Sequence, residues 1–297
     1  MPNKRFRQVY LEITNCCNLK CDFCPSTRRK AAFMEMTLFR HIVPQLPELA
    51  GQVYFHVMGE PLLHPEFPAM VEFCAAHGLP VAITTNGSQM ATPAATALLH
   101  PGIRQVNISV HAISQNAENE QRLQEIFNFT RQALTSRPDL YINFRLWNLA
   151  HLRDKPADNN LWLLQQIRAA FPEAVPADEL SGGHKSRRMT GRLYLSFDTV
   201  FDWPEITPDV PVRERGFCHG LCHQLAILVA GTVVPCCLDR DGVIELGNAA
   251  QTPIAEILAA PRATAMLDGL AHGRLVEDLC HHCTFCRRFK QARTIGS

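Results

Sequence analysis

Short apolar runs rich in β-branched residues alternate along the chain with longer stretches whose apolar positions recur every three to four residues. The runs predict strands near residues 8–13, 52–57, 80–84, 104–110, 140–146 and 192–197, with helices between them. Strands separated by helices in this rhythm are βα units around a parallel sheet, so the expected fold class is α/β. Local punctuation supports the boundaries. Thr37 is placed to cap the first helix, Pro65 to sit in the first turn of the second, Gly78 to end it in a left-handed conformation, and Thr92-Pro93 to open the third.

Beyond about residue 212 the rhythm stops and cysteines accumulate: Cys218, Cys222, Cys236, Cys237, Cys280, Cys283 and Cys286. This change of composition divides the chain into residues 1–211 and a small cysteine-rich domain, 212–297. A helical pattern runs from about Thr252 to Leu270. The stretch from Ala174 to Gly191, which carries the basic run His184-Lys185-Ser186-Arg187-Arg188, reads as a solvated loop, and Arg287-Arg288-Phe289-Lys290 as surface charge.

With 46% hydrophobic and 19% charged residues and a formal charge of +1, the chain is an ordinary soluble globular sequence with no sign of a nucleic-acid partner. Its best uninterrupted apolar run, Leu225 to Ala230, is far too short to cross a bilayer. Met1-Pro2-Asn3-Lys4-Arg5-Phe6-Arg7 leads straight to the first strand with no secretory apolar segment. Twelve cysteines in 297 residues are then expected to be reduced and cytoplasmic, because a disulfide scaffold suits short secreted chains.

Three of those cysteines follow the first strand in the run Cys17-Asn18-Leu19-Lys20-Cys21-Asp22-Phe23-Cys24. The spacing lets three thiolates bind three irons of one [4Fe–4S] cubane and leaves the fourth iron open to a substrate or cofactor. The competing reading is zinc, but structural zinc is normally closed by four protein ligands and no fourth lies close in sequence. Cys16 stands outside the spacing, and Cys74, within Val71-Glu72-Phe73-Cys74-Ala75-Ala76, reads as a buried core thiol.

This run, followed by Met58-Gly59-Glu60-Pro61 after the second strand and Thr84-Thr85-Asn86-Gly87 after the third, resembles the radical S-adenosylmethionine (radical SAM) superfamily. Met58 replaces the first glycine of that family's Gly-Gly-Glu-Pro stretch. The resemblance implies a partial (β/α)6 TIM-type barrel with its motifs on the C-terminal rim of the strands. It implies a SAM-binding [4Fe–4S] cluster on Cys17, Cys21 and Cys24. Gly59 and Glu60 would receive the amino group of SAM, Phe23 would pack near the adenine, and Asn86 and Ser109 would serve the same cofactor. Arg145, a charge within a strand, needs an anionic partner, either the SAM carboxylate or a protein Asp or Glu. Asn148 reads as a turn cap. His56 and His111 are candidate proton carriers, although a lone histidine on a strand is more often structural.

Cys218, the run Leu225–Val229 and Gly231-Thr232-Val233-Val234-Pro235-Cys236 resemble the opening hairpin of the SPASM extension or its shortened twitch form. That resemblance implies one auxiliary [4Fe–4S] cluster on Cys218, Cys236, Cys280 and Cys283, with Cys222 and Cys286 as competing ligands. A zinc ribbon remains the alternative for this second group. The implied activity is reductive cleavage of SAM to a 5′-deoxyadenosyl radical, which takes hydrogen from a substrate in a net oxidation assisted by the auxiliary cluster. The electron would come from a flavodoxin- or ferredoxin-type donor. The substrate would be a peptide or a small polyol or amino sugar; the first strand's closeness to Met1 weighs against the peptide. A non-enzymatic iron–sulfur or zinc redox sensor is the rival expectation.

Overall fold

A computed structural model describes residues 4–147, 158–173, 186–199, 201–207 and 212–288. All six apolar runs contain strands: β1 (Gln8–Leu11), β2 (Val53–Tyr54), β3 (Val81–Thr85), β4 (Ile103–Ile108), β5 (Tyr141–Leu146) and, after the intervening β6 (Ser186–Thr190), β7 (Leu193–Phe197). The main helices of this part are α1 (Met36–Ile42), α2 (Phe67–Ala76), α3 (Pro93–Thr96), α4 (Ala117–Ser136) and α5 (Asp158–Ala170). The C-terminal part adds β8 (Gln224–Ile227), β9 (Thr232–Val234), β10 (Gly247–Asn248), α6 (Ile254–Ala259), α7 (Pro261–Ala271) and α8 (Asp278–His281). Asn148 lies outside the described residues.

The contacts divide the chain into two compact units. One contains residues 1–16, 25–59 and 201–297. Its strand order is β10-β9-β8-β1-β2; β1 runs parallel to β2 and β8, with Val9 opposite both Val53 and Leu225. The hairpin expected after Cys218 is present, β8 pairing antiparallel with β9 around Gly231 at φ +88°. The cysteine-rich segment thus contributes a strand beside the chain's first, and the sequence boundary at 212 is one of composition. Met58 replaces a glycine of the motif and uses its side chain for packing: it is buried with Val57, Ala226, Leu228 and Val234.

The other unit contains residues 17–24 and 60–200. Its order is β3-β4-β5-β7-β6, parallel throughout except for β6. Strand β5 shows why the sheet has two different faces. Ile142, Phe144 and Leu146 are buried, and the alternate Tyr141, Asn143 and Arg145 are only partly so. On the apolar face Phe144 meets Phe127 of α4 and Phe171, and Phe127 meets Phe171 edge to face. The opposite face carries a hydrogen-bonded row. Asn107 Nδ2 donates to the Ile83 carbonyl at 3.1 Å, Asn143 Nδ2 to Asn107 Oδ1 at 3.2 Å, and Ser196 Oγ to Asn143 Oδ1 at 2.6 Å.

Several local expectations differ from the structure. Residues 186–190, read as part of a loop, form β6, because pairing with β7 overrides the polarity of Ser186-Arg187-Arg188. The helix expected over 252–270 is broken at Ala260, whose extended backbone (φ −65°, ψ 153°) precedes Pro261. Thr37 lies inside α1, whose cap is Glu35, and Pro65 precedes α2, whose first-turn proline is Pro68. Gly78 does take the left-handed conformation, at φ +64°, and Thr92-Pro93 does open α3. Among the described residues no helix is long and apolar enough to cross a membrane.

Candidate functional site

The three-cysteine loop is clasped at its base by the residues just before it. Thr14 Oγ1 donates to the Ala32 carbonyl at 2.9 Å, Asn15 Nδ2 to the Lys30 carbonyl at 2.9 Å, and Asn15 Oδ1 accepts from the Ala32 amide at 2.7 Å. Gly59 closes against the same backbone. A Cβ at Gly59 would lie 2.4 Å from the Thr14 carbonyl oxygen and 2.9 Å from that of Cys16, and its φ of +80° independently favours glycine. Glu12, at the end of β1, is fully buried. Its carboxylate binds the Arg29 guanidinium at 2.6 and 2.7 Å, the Met58 amide at 3.1 Å and the Val229 amide at 2.9 Å.

Within residues 17–24, Cys17 and Cys24 are exposed and Cys21 is partly buried, with the Cys24 amide donating to the Cys21 carbonyl at 2.9 Å. Asn86, at the end of β3, is the hub that holds this loop. Its Nδ2 donates to Asn18 Oδ1 at 3.1 Å and approaches Cys17 Sγ at 3.7 Å, its Oδ1 accepts from the Ser88 amide at 2.8 Å, and its own amide donates to Glu60 Oε2 at 2.6 Å. Asn18 also donates to Ser88 Oγ at 2.8 Å. The Asn86 carbonyl accepts from Arg122 of α4.

Glu60 is buried, and each of its carboxylate oxygens already accepts a backbone N–H, from Asn86 and from Leu62. Burial pushes its pKa up to about 7 against the lowering effect of those bonds. Phe23 is partly exposed and stacks on His111 with 4.8 Å between ring centroids. His111 Nδ1 donates to the Arg145 carbonyl at 2.7 Å, which leaves Nε2 as the acceptor nitrogen. Burial lowers its pKa to about 4, so the ring is neutral near pH 7. The Arg145 guanidinium lies over the Trp147 ring at 3.2 Å and donates to Thr84 Oγ1 at 3.4 Å. Ser109 begins the turn Val110–Ala112, its amide bound to the Thr85 carbonyl at 2.9 Å. His56 sits elsewhere, edge-on to Tyr10 and Tyr54 in an aromatic group of the other unit.

The C-terminal thiols form a second concentration. Cys236 is pushed well above the usual thiol range by burial and by Cys218, Cys237 and Cys280. Burial also raises Cys218, to about 11, with Cys283 and Cys286 adding to it, and raises Cys280, with Cys218 and Cys283 adding to it. Among the described residues no three donors are grouped closely enough to hold a single metal ion, and it is the chemistry of the set, several soft thiols in one weakly solvated segment, that fits an iron–sulfur cluster. Cys286 belongs to the group, its Sγ donating to the Cys283 carbonyl at 3.1 Å. Cys222 responds instead to burial and to Arg5.

Glu12, Arg29, Asn18 and Arg122 did not stand out in the sequence. Glu12 could have, because a carboxylate ending an apolar strand run must find partners; Arg122 looks like any basic residue on a polar helix.

A cysteine trio just after the first strand of an α/β fold, with a second, partly buried set of thiols in the C-terminal part, has the donor chemistry of an iron–sulfur protein with two clusters. The sequence pattern of the Radical SAM superfamily matches residues 11–137, and that of the SPASM iron–sulfur cluster-binding domain matches residues 218–284. The chain thus carries a Radical SAM domain over residues 11–137 and a SPASM domain over residues 218–284. Those domains bring a [4Fe–4S] cluster, SAM and an auxiliary iron–sulfur cluster as cofactors. Among curated relatives, GTP 3′,8-cyclase of Pasteurella multocida is 22% identical over 90% of this chain and 88% of its own length, and that of Vibrio cholerae 24% identical over 93% and 91%. The tungsten-containing aldehyde ferredoxin oxidoreductase cofactor-modifying protein of Pyrococcus furiosus is 32% identical, but over 36% of this chain and 31% of its own length. In fold the chain is similar to BtrN in complex with AdoMet and 2-DOIA (TM-score 0.61, 19% identity, 95% of this chain and 94% of that one). It is also similar to anSMEcpe with AdoMet and a peptide (TM-score 0.57, 14% identity, 94% and 86%).

Proposed function

We propose that this enzyme cleaves SAM reductively and uses the product to remove hydrogen from a polar substrate in a net oxidation. The observation that carries the reading is the loop of Cys17, Cys21 and Cys24, three thiols pinned through Asn18 and Asn86 with no fourth ligand supplied by the loop itself. When bound, the cluster and SAM supply the carbon–sulfur bond cleavage and the hydrogen-abstracting power. The chain's own residues hold and shield. Cys17, Cys21 and Cys24 would hold the first cluster; Gly59, Glu60, Asn86, Ser109 and Arg145 would orient SAM, with Phe23 against its adenine. In this reading Glu60 acts through the backbone it fixes as much as through its carboxylate, both of whose oxygens are engaged.

Cys218, Cys236, Cys280 and Cys283 would hold the auxiliary cluster, with Cys222 and Cys286 as competing ligands, and residues 212–297 would form the domain that carries it. An acceptor of that kind favours oxidation of the substrate. Of the two candidate proton carriers His111 is the one stacked on Phe23 of the cysteine loop, but burial holds its ring neutral with a pKa of about 4, which makes it a weak base near pH 7 and leaves Nε2 as a hydrogen-bond acceptor. The amide and hydroxyl row Asn107, Asn143 and Ser196 supports a substrate rich in hydrogen-bonding groups. A small polyol or amino sugar and a peptide both qualify; BtrN was solved with 2-DOIA and anSMEcpe with a peptide. We assign the electron to a flavodoxin- or ferredoxin-type donor and the reaction to the cytoplasm.

Anaerobic reconstitution followed by incubation with SAM and dithionite tests the reading. Iron and sulfide for two clusters and dithionite-dependent 5′-deoxyadenosine are expected; stoichiometric zinc without SAM cleavage would overturn it. A mass-shift screen of cell extract, with GTP among the added candidates because of the cyclase relatives, then identifies the substrate.

A further inference from the structure

Arg122 is a buried cation without an ion-paired carboxylate among the described residues. It lies on α4, six residues after the Asn116 cap, and only 9% of its surface is exposed. Its Nη2 donates to the Asn86 carbonyl and its Nη1 reaches Asn119 Oδ1 at 3.4 Å, both neutral acceptors, while its Nε is buried with no hydrogen-bond partner. Glu60 and Glu118 act on it only at longer range. Burying a guanidinium in this way is costly unless an anion is supplied. The residue that accepts from Arg122 through its carbonyl, Asn86, is the one whose side chain approaches Cys17 Sγ.

We infer that Arg122 is the counter-cation of the first cluster site and sets how readily that cluster accepts an electron. The inference rests on the assignment of Cys17, Cys21 and Cys24 as its ligands. Three thiolates make the site net anionic, and one-electron reduction by an external donor adds a further negative charge without forming or breaking a bond. A fixed positive charge in a weakly solvated position therefore favours the reduced form, and its effect is not screened by salt as a surface charge would be. Arg122 is thus a positioning residue in two senses: its hydrogen bond to Asn86 holds the loop's hub, and its charge holds the potential.

The test is potentiometric titration of the anaerobically reconstituted full-length chain, followed by EPR of the SAM-responsive cluster signal, in wild type, R122Q and R122K. In R122Q the ratio of reduced to oxidised cluster at a fixed potential should fall about tenfold, a midpoint about 59 mV more negative, while R122K, which keeps the charge, stays near wild type. Failure of R122Q to load iron while R122K loads with the wild-type midpoint also supports the inference. Equal shifts in both variants, loss of loading in both, or a wild-type midpoint in R122Q would overturn it, the first two by assigning Arg122 a purely geometric role. A wild-type chain with no SAM-responsive signal would sink the functional reading as well; a responsive wild type with an unmoved R122Q sinks this inference alone.

Discussion

The Glu12 carboxylate grips the Arg29 guanidinium with two hydrogen bonds, of 2.6 and 2.7 Å, and the acid has no solvent exposure at all. The same carboxylate accepts the amides of Met58 and Val229, so one side chain joins the end of β1 to the segments that follow β2 and β8 and to the return of the cysteine loop. Glu12→Ala leaves a largely buried cation and two amides without their acceptor. The expected cost is about 3–5 kcal/mol, read as a lower urea midpoint for the metal-free chain; a loss below about 1 kcal/mol, the range of surface pairs, would show that the network relaxes around the deletion.

Glu60 makes stability depend on pH in the less usual direction. Its folded pKa, about 7, lies above the value for an unfolded glutamate, so between those two values the folded chain binds more protons than the unfolded one. The contribution is fully present below the unfolded value and is lost as pH rises through about 7. The full swing is on the order of 3 kcal/mol. Urea midpoints of the metal-free chain should fall between pH 5 and pH 8 by more in wild type than in Glu60→Gln, and parallel profiles for the two proteins would contradict the assignment.

The elements that were legible in the sequence are those fixed by local chemistry. The apolar alternation of Tyr141–Leu146 and the spacing of Cys17, Cys21 and Cys24 need no knowledge of distant residues. What the sequence hid depends on pairing across the chain. Ser186-Arg187-Arg188 is polar enough for a loop and becomes a strand because β7 offers it an edge. The positions of β8 beside β1 and of Arg122 beside Asn86 join residues separated by long stretches of chain, and no periodicity reports them. Spacing alone leaves Cys222 competing for the place of Cys218 and Cys286 for that of Cys280 or Cys283, because ligand choice depends on how distant segments meet and not on local sequence.

The two thiol groups predict a division of labour. Cys21→Ala removes one of the three proposed ligands of the first cluster and should reduce dithionite-dependent 5′-deoxyadenosine formation to background. Cys236→Ala removes a proposed ligand of the auxiliary cluster and should leave SAM cleavage running without product. Iron content and 5′-deoxyadenosine measured together check both. Complete loss of SAM cleavage in both variants, with the first cluster still loaded in Cys236→Ala, would mean that the two sites do not act separately.

Gly59 and Gly78 both have positive φ, +80° and +64°, but only one of them is crowded. A Cβ at Gly78 would meet nothing within 4 Å, so Gly78→Ala should cost only the left-handed conformation, about 1–2 kcal/mol. Gly59→Ala incurs the same conformational cost and also drives a methyl group to 2.4 Å from the Thr14 carbonyl oxygen. Backbone cannot rotate away as a flexible side chain would, so the strain must move Thr14–Cys16, whose side chains clasp the base of the cysteine loop. The expected result is a larger fall in urea midpoint than in Gly78→Ala together with loss of iron from the first cluster, measured as iron per chain and as the SAM-responsive EPR signal. Gly78→Ala should retain both the iron and the signal. If Gly59→Ala loads iron as fully as Gly78→Ala, then the close approach of residue 59 to the loop base has no part in shaping the cluster site.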